Sequence, residues 1–341
     1  MSEHPGFVVE RSTRLSAGAG IAAAAAVAVL AFGPLWFSAN IVDSLTTLFI
    51  YLILAAMWNA LAGYAGLVSV GQQAFFGLGA YFAIQLSYHG LGVYPALLVG
   101  ATLAGLLSLP ISLLMLRLRG GEFAIGMWVV AELAHLLVAL DPLINGETGV
   151  SLIALNTFSP DLRRAYNYWM ALAAAVLLLA AVFLLLRGRL GASVQAIRDD
   201  ENAAESIGVR VLAGKRTIFF LAAFGCALAG SLYLATSISF QPRQYFGIQW
   251  TAYMIFMVLV GGLGTFEGPI VGAVIFFLIE YFFGQTGVWY LIGLGAAAIV
   301  FALFLPRGLW GTLEDRFGIR ILPVGYVLRL IRPEAKPPDK A

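Results

Sequence analysis

The stretch Gly66–Tyr81 reads GLVSVGQQAFFGLGAY and places four glycines, a serine and two adjacent glutamines inside an apolar, membrane-length run. Its surroundings decide the fold class. Of 341 residues, 61% are hydrophobic and only 11% are charged, against roughly 25% charged in a soluble domain. A water-facing surface cannot be assembled from that supply. Apolar windows of about 20 residues, each long enough to cross the hydrocarbon core, recur along the whole chain. The short alternating segments of a β-barrel are absent. The chain reads as an all-α polytopic membrane protein.

Working outward from Gly66–Tyr81 gives about ten transmembrane helices. The candidate crossings are Leu15–Phe37, Ser44–Ala62, Leu67–Tyr88, Pro95–Leu116, Phe123–Leu140, Tyr166–Leu186, Thr217–Ser237, Gln249–Gly262, Pro269–Phe283 and Val288–Leu305. Basic residues favour the cytoplasmic side of a membrane. With the N-terminus inside, all of the 20 basic residues except Arg163, Arg164 and Arg243 fall on that side. Both termini are therefore expected in the cytoplasm. The basic N-terminus followed by alanines resembles a signal peptide, but the apolar run continues to about Phe37 without a small-x-small site at its end, so it reads as a first crossing. The longest polar inside segment is 187–216, and 306–341 forms a polar tail, expected to lie on the surface and then become disordered.

If Gly66–Tyr81 continues as a helix at 100° per residue, Gly63, Gly66, Val70, Ala74, Gly77 and Tyr81 share one stripe, bordered by Ser69, Gln73 and Ala80. Tyr64, Leu67, Val68, Phe75, Leu78 and Phe82 lie on the far side. A small-residue stripe permits close helix packing. Glycine-interrupted segments also line water-filled cavities at membrane depth. Both readings stay open at this point, and Gln73, nearer the stripe than Gln72, is the better candidate for a solute route.

Chemistry is sparse. There is no phosphate-cradling G-x-x-x-x-G-K-[ST] loop, no G-x-S-x-G elbow and no CxxC. Cys226 is the single cysteine, and it reads as packing. His4, His89 and His135 are scattered. Glu132 and His135 have the Glu-x-x-His spacing of di-iron bundles, but the second copy such a site needs is missing. No metal, cofactor, nucleic acid or catalytic activity is expected. Glu132 lies near the middle of the fifth crossing, where a carboxylate costs about 2.5–3.5 kcal/mol unless it faces protein or water. It either borders a solute path or pairs with another helix. Glu280, near the end of the ninth crossing, reads in the same way.

The segment Gly191–Arg216, GASVQAIRDDENAAESIGVRVLAGKR, has a candidate helix start at Ser193, an Ala203–Ala204 face and a natural stop at Gly208. It is either a docking knob for a soluble partner or a solvated loop. AIRDDENAAESIGV resembles the cytoplasmic coupling loop, A-I-R-x-x-E-x-x-A-x-x-x-G, of LivM-type permease subunits of branched-chain amino acid ABC importers. The matching positions are Ala196, Ile197, Arg198, Glu201, Ala204 and Gly208. Asn59–Tyr81 is similar to that family's early N-L-x-x-G-x-x-G-x-x-S-x-G stretch. Val260–Ala273, VGGLGTFEGPIVGA, is similar to its late glycine block at Gly261, Gly262, Gly264, Gly268 and Gly272. The order of the three blocks agrees. Departures lie at Gly120–Leu133, where the usual threonine run is replaced by GMWVVAEL, and at NGETGVS, Asn145–Ser151.

The resemblance implies an ABC importer permease fold, with a transmembrane domain over 1–305 containing a coupling loop at 187–216, and a cytoplasmic tail at 306–341. It implies a multi-pass protein of a bacterial inner membrane that imports branched-chain amino acids or a related small polar solute. The implied partners are a paralogous second permease, two cytoplasmic ATPases and a periplasmic solute-binding protein, with ATP handled by the ATPases. Asn59, Ser69, Gln73, Gly77 and Glu132 become candidates for the translocation pathway. The rival reading is an ion-coupled secondary transporter that uses Glu132.

Overall fold

The computed structural model describes residues 6–10, 14–317, 322 and 327–331. His4, Arg11 and the proline-rich end expected to be disordered lie outside the described residues. Helices α1 (Arg14–Ala31), α2 (Gly33–Trp36), α3 (Ala39–Asn59), α4 (Gln73–Tyr88), α5 (Val93–Met115), α6 (Gly120–Ala139) and α7 (Pro160–Arg187) lead into two short helices, α8 (Arg189–Asp199) and α9 (Glu201–Ser206). They are followed by α10 (Val211–Ser237), α11 (Pro242–Tyr245), α12 (Gln249–Gly261), α13 (Gly268–Phe283), α14 (Val288–Phe304) and α15 (Gly308–Phe317). Among the described residues, seven helical segments, those of α3, α5, α6, α7, α10, α13 and α14, are each long and apolar enough to cross a membrane. The other three expected crossings fall on α1, α4 and α12.

The helices stop where the sequence withdraws backbone donors or inserts glycine. The first crossing, expected to reach Phe37, ends at Ala31 because Pro34 has no N–H to continue the ladder. The carbonyls freed there are taken up by α7: the Tyr168 hydroxyl donates to Leu30 O at 2.7 Å and the Trp169 indole to Ala31 O at 2.9 Å. Without such partners, open carbonyls at membrane depth would cost several kcal/mol each.

The centre of the bundle is α10, packed on α4 and α5. Small residues set the spacing: Gly79 lies against the Ala227 carbonyl, Gly230 against that of Phe76, and Gly100 against the backbone of Ala83. Close backbone approach of this kind replaces the hydrophobic drive that lipid removes. Phe75, Phe76, Phe219 and Cys226 are fully buried around these crossings. Large side chains on α6 and α14, including Trp128, Leu133, Leu303 and Phe304, point outward, as a lipid- or partner-facing surface requires.

Two small antiparallel sheets close the ends. β1 (Gly6–Glu10) pairs with β4 (Val327–Ile331), which brings the two ends of the chain together. β2 (Val150–Ser151) pairs with β3 (Ser239–Phe240) at the far end of α10. Within the tail expected after 305, the described residues include α15 and β4.

Candidate functional site

The third crossing is broken. α3 runs through a π-helical turn at Ala60–Tyr64, and the chain then has no regular structure from Gly66 until α4 begins at Gln73. The single helical stripe that a continuous helix would carry from Gly63 to Tyr81 does not form, and of its bulky side Tyr64, Leu67, Phe75 and Leu78 are buried while Val68 is exposed. The odd composition of GLVSVGQQAFFGLGAY has a local cause. Unwound backbone at membrane depth must find partners other than its own helix. The Trp58 indole donates to Ser69 O at 3.0 Å, the Gln73 amide to Val70 O at 3.2 Å, and Gly71 N to the Ser69 hydroxyl at 3.3 Å. Leu67 N returns to Leu61 O at 3.1 Å. Gly66, at φ +69°, makes the turn that starts the unwound run against Arg198.

Three distant parts of the sequence meet at this turn. The Asn59 side chain donates to Thr265 O at 2.8 Å and accepts from Gly264 N at 2.9 Å, holding both sides of the α12–α13 connection. Arg198, at the end of α8, donates to Gly63 O at 2.9 Å. A side chain at Gly63 would meet the backbone of Gly264 at 2.7 Å. Gly261 and Gly272 lie against the backbones of Gly268 and Met257, so α12 and α13 fold back closely, with Gly262 at φ +137° and Gly264 at φ +76° between them. From the other side α15 closes on Gly262 through Gly308 and Gly311. The Glu267 carboxylate, just before α13, accepts from Leu322 N at 2.7 Å. Burial pushes that carboxyl above its ordinary range, and the Leu322 N–H only partly offsets this.

The segment 187–216 forms two helices where the sequence suggested one. The cap is not Ser193, which sits inside α8 with its hydroxyl on Arg189 O. It is Asp200, whose carboxylate accepts from Asn202 N at 2.9 Å and Ala203 N at 3.0 Å. An N-cap of that kind contributes about 1 kcal/mol. Gly208, at φ +86°, ends α9 as expected, with its N–H on Glu205 O. Glu201 fixes α9 to the bundle through Lys215 at 2.7 Å and reaches Arg119 at 3.8 Å. Ile197 and Ala204 are buried under the pair, and Ala196 is half-buried. The expected Ala203–Ala204 face therefore splits. Ala204 packs inward, while Ala203, Ser206 and Ile207, 77% exposed, point away.

The five residues considered for a pathway lie in different local settings. Asn59 belongs to the junction just described, and Ser69 to the unwound backbone. Gln73 has a partner at each end of its amide: its nitrogen donates to Val70 O, and the Thr251 hydroxyl of α12 donates to its oxygen. Gln72, set aside on the sequence, is the glutamine with a buried amide that has no protein partner. Gly77 makes room for the Phe246 ring, which stacks on His135 at 5.9 Å. His135 in turn lies 3.3 Å from Glu132 and 2.8 Å from Glu147, and Glu147 accepts from Arg243 N at 2.9 Å. Glu132 is thus on an exposed flank of α6, 58% exposed, paired to a histidine one turn away. Glu147 was missed because its role comes from the fold, which brings the loop after α6 onto the segment after α10.

The family described as the permease component of branched-chain amino acid transport systems matches residues 40–310, a range that contains all three blocks of the junction. The chain belongs to this family. Relatives include the high-affinity branched-chain amino acid transport system permease protein LivM of Escherichia coli (strain K12), 28% identical over 303 residues, covering 81% of this chain and 71% of that protein. LivM of Salmonella typhimurium is 30% identical over 307 residues, with 81% of this chain and 71% of the relative covered.

Proposed function

We propose that this chain is the membrane permease of an ATP-driven importer for branched-chain amino acids or a related small polar solute, in a bacterial inner membrane. ATP hydrolysis belongs to partner ATPases. The observation that carries the mechanism is the junction at Arg198. Two helices standing outside the bundle, α8 and α9, are tied through Arg198 to the end of α3, and through Asn59 to the α12–α13 glycine connection. Force on α9 from a docked ATPase is transmitted there to the broken crossing at Gly66–Gln73.

In this reading, 187–216 is the coupling segment, with Ala203, Ser206 and Ile207 as its contact face. The whole transmembrane part, 1–305, makes ten crossings with both ends in the cytoplasm, and 306–341 is the tail. An even number of crossings agrees with the antiparallel pairing of β1 with β4. A periplasmic solute-binding protein delivers the solute to the opposite end. A paralogous permease covers α6: an exposed Glu132 on a membrane helix needs protein or water against it, not lipid.

Reconstitution with the second permease, the ATPases and the solute-binding protein in proteoliposomes tests this reading. Uptake of labelled leucine should require ATP inside the cytoplasmic compartment and survive an uncoupler. Uptake that persists without ATP and collapses with the uncoupler would instead support the ion-coupled reading of Glu132.

A further inference from the structure

His135 lies on α6, about 24 Å of helix axis beyond Arg119 at 1.5 Å per residue, and Arg119 reaches Glu201 of α9 at 3.8 Å. The ring therefore sits toward the end of the bundle opposite α8 and α9. Its side chain is 16% exposed. Each ring nitrogen faces a carboxylate: Nδ1 stands 3.3 Å from Glu132 Oε1, and Nε2 stands 2.8 Å from Glu147 Oε1. A neutral imidazole has one N–H, and an ionised carboxylate only accepts. With one proton on the ring, one of the two contacts sets a lone pair against a carboxylate oxygen. Imidazolium, with an N–H on each nitrogen, satisfies both. The extra proton belongs on the ring, because carboxylic acids open to water are stronger acids than imidazolium, and Glu132 and Glu147 are 58% and 50% exposed.

Among the described residues, His135 is the one cationic side chain that pairs with either carboxylate. Glu132 belongs to the same helix. Glu147 comes from the loop after α6, and its second oxygen accepts from Arg243 N, in α11, at 2.9 Å. The ring also stacks on Phe246, just after α11, at 5.9 Å and 24°, inside the distance of about 6 Å at which an aromatic face attracts a cation. One charged ring thus ties α6 to the loop that follows it and to the connection between α10 and α12. The other ionisable groups on the surrounding elements have contacts of their own. Asp141 accepts from the Tyr81 hydroxyl of α4, from Gln85 and from Leu143 N. Tyr245 shares a hydrogen bond with the Ser237 hydroxyl, and Arg243 meets Glu147 through its backbone. Loss of the second ring proton removes one of the two bonds and leaves both carboxylates facing a neutral ring.

We infer that His135 is a proton-operated latch, closed while its imidazolium bridges Glu132 and Glu147 and released when the ring gives up its second proton. Imidazole is the side chain that changes charge between pH 5 and 8, so the latch works within the range of ordinary media. The sign follows from the charge: the tie is complete at the acid end of that range and is lost as pH rises. In the orientation of the importer reading, this end of the bundle faces the outside. External pH then sets the freedom of the loop at Glu147 and of α11, and that consequence rests on the importer reading. The latch itself rests on the ring and its two carboxylates.

The chain has three histidines, so nitrogen NMR of the full permease, labelled with ¹⁵N-histidine, carried on a histidine-free affinity tag and held in phosphatidylcholine nanodiscs, reads the ring directly. The signals missing from His135→Gln are those of His135. Both of its nitrogens should be protonated at the acid end of a titration, and one should lose its proton as pH rises. Glu147→Gln, which keeps the shape and removes a charge, should move that midpoint down by about one pH unit. The opening is read by a spin label beside Glu147. Cys226 is buried and Thr148 is exposed, so Thr148→Cys carries the accessible thiol. Motion of the label should increase as the ring deprotonates, and should not respond to pH over that range once His135→Gln is added. The proposal is overturned if the ring is neutral at the acid end, or if Glu147→Gln leaves the midpoint in place. It is also overturned if the label responds to pH equally with and without His135. Neither readout uses transport, so a failure of the importer reading leaves both tests intact.

Discussion

Asn59→Leu removes both hydrogen bonds that hold the α12–α13 connection to the end of α3, at nearly constant side-chain size. Gly264 N and Thr265 O then lose partners at 2.9 and 2.8 Å. Each deserted group costs about 1–3 kcal/mol if sealed from water, but both residues are half-buried here, so the sum is expected near the low end, about 2–3 kcal/mol. Arg198→Ala removes the bond to Gly63 O at 2.9 Å from a partly exposed guanidinium, a loss of about 1 kcal/mol after allowing for solvent. If the two side chains hold one junction, the double variant loses less than the sum, with a coupling of at least about 0.5 kcal/mol. Denaturant titration in mixed micelles measures all four corners of the cycle, and leucine uptake in proteoliposomes measures the functional side. Uptake should fall to background in either single variant while the fold is retained. Additivity within about 0.3 kcal/mol, with uptake close to wild type, would refute the junction.

The helix contacts at Gly79 and Gly230 leave no room for a Cβ against the facing carbonyls, so Gly79→Val or Gly230→Val should abolish accumulation of folded protein, measured by monodisperse yield in detergent. Glu201→Leu strands the Lys215 ammonium, 7% exposed, at the base of α9; it should destabilise by about 2–4 kcal/mol, and adding Lys215→Leu should recover most of that loss. Recovery of nothing in the double variant would show that the pair does not act as a pair. Burial raises the Glu267 carboxyl above its ordinary range, so the folded state prefers the neutral acid. Its stabilising contribution is full below the unfolded pKa of about 4.3 and is lost as pH rises through the raised folded value. Melting curves from pH 4 to 8 should therefore decline more with rising pH for wild type than for Glu267→Gln, whose side-chain oxygen still accepts from Leu322 N. Superimposed profiles would exclude the effect.

Much of the fold is legible in the sequence because lipid allows few solutions: the apolar windows fall on helices from α1 to α14. The three motif blocks are legible as blocks, but their meeting point is not. Asn59, Arg198 and Gly264 are joined by hydrogen bonds between residues more than 60 positions apart, and no periodicity encodes such a bond. Gly66–Tyr81 misleads a helical wheel because its serine and glutamine serve the backbone locally instead of marking a helix face. Asp200 carries an N-cap signal that is readable in retrospect, an acidic residue directly before Glu201–Ala204. The preference for Gln73 over Gln72 assumed continuous helical geometry, a premise removed by the break that precedes Gln73. Glu132 is legible as an anomaly, whereas its pairing with His135 and the tie to Glu147 depends on how two distant loops pack.

The central claim is that α9 presents Ile207 to an ATPase. Cys226 is the sole cysteine and is buried, so Ile207→Cys carries the one accessible thiol. Ile153→Cys places a matched thiol, 63% exposed in the parent residue, at the opposite end of the bundle. Short-spacer crosslinking in the purified complex should join Ile207→Cys to the ATPase subunit and leave Ile153→Cys unjoined to it. An ATPase adduct at Ile153→Cys with none at Ile207→Cys would contradict the account.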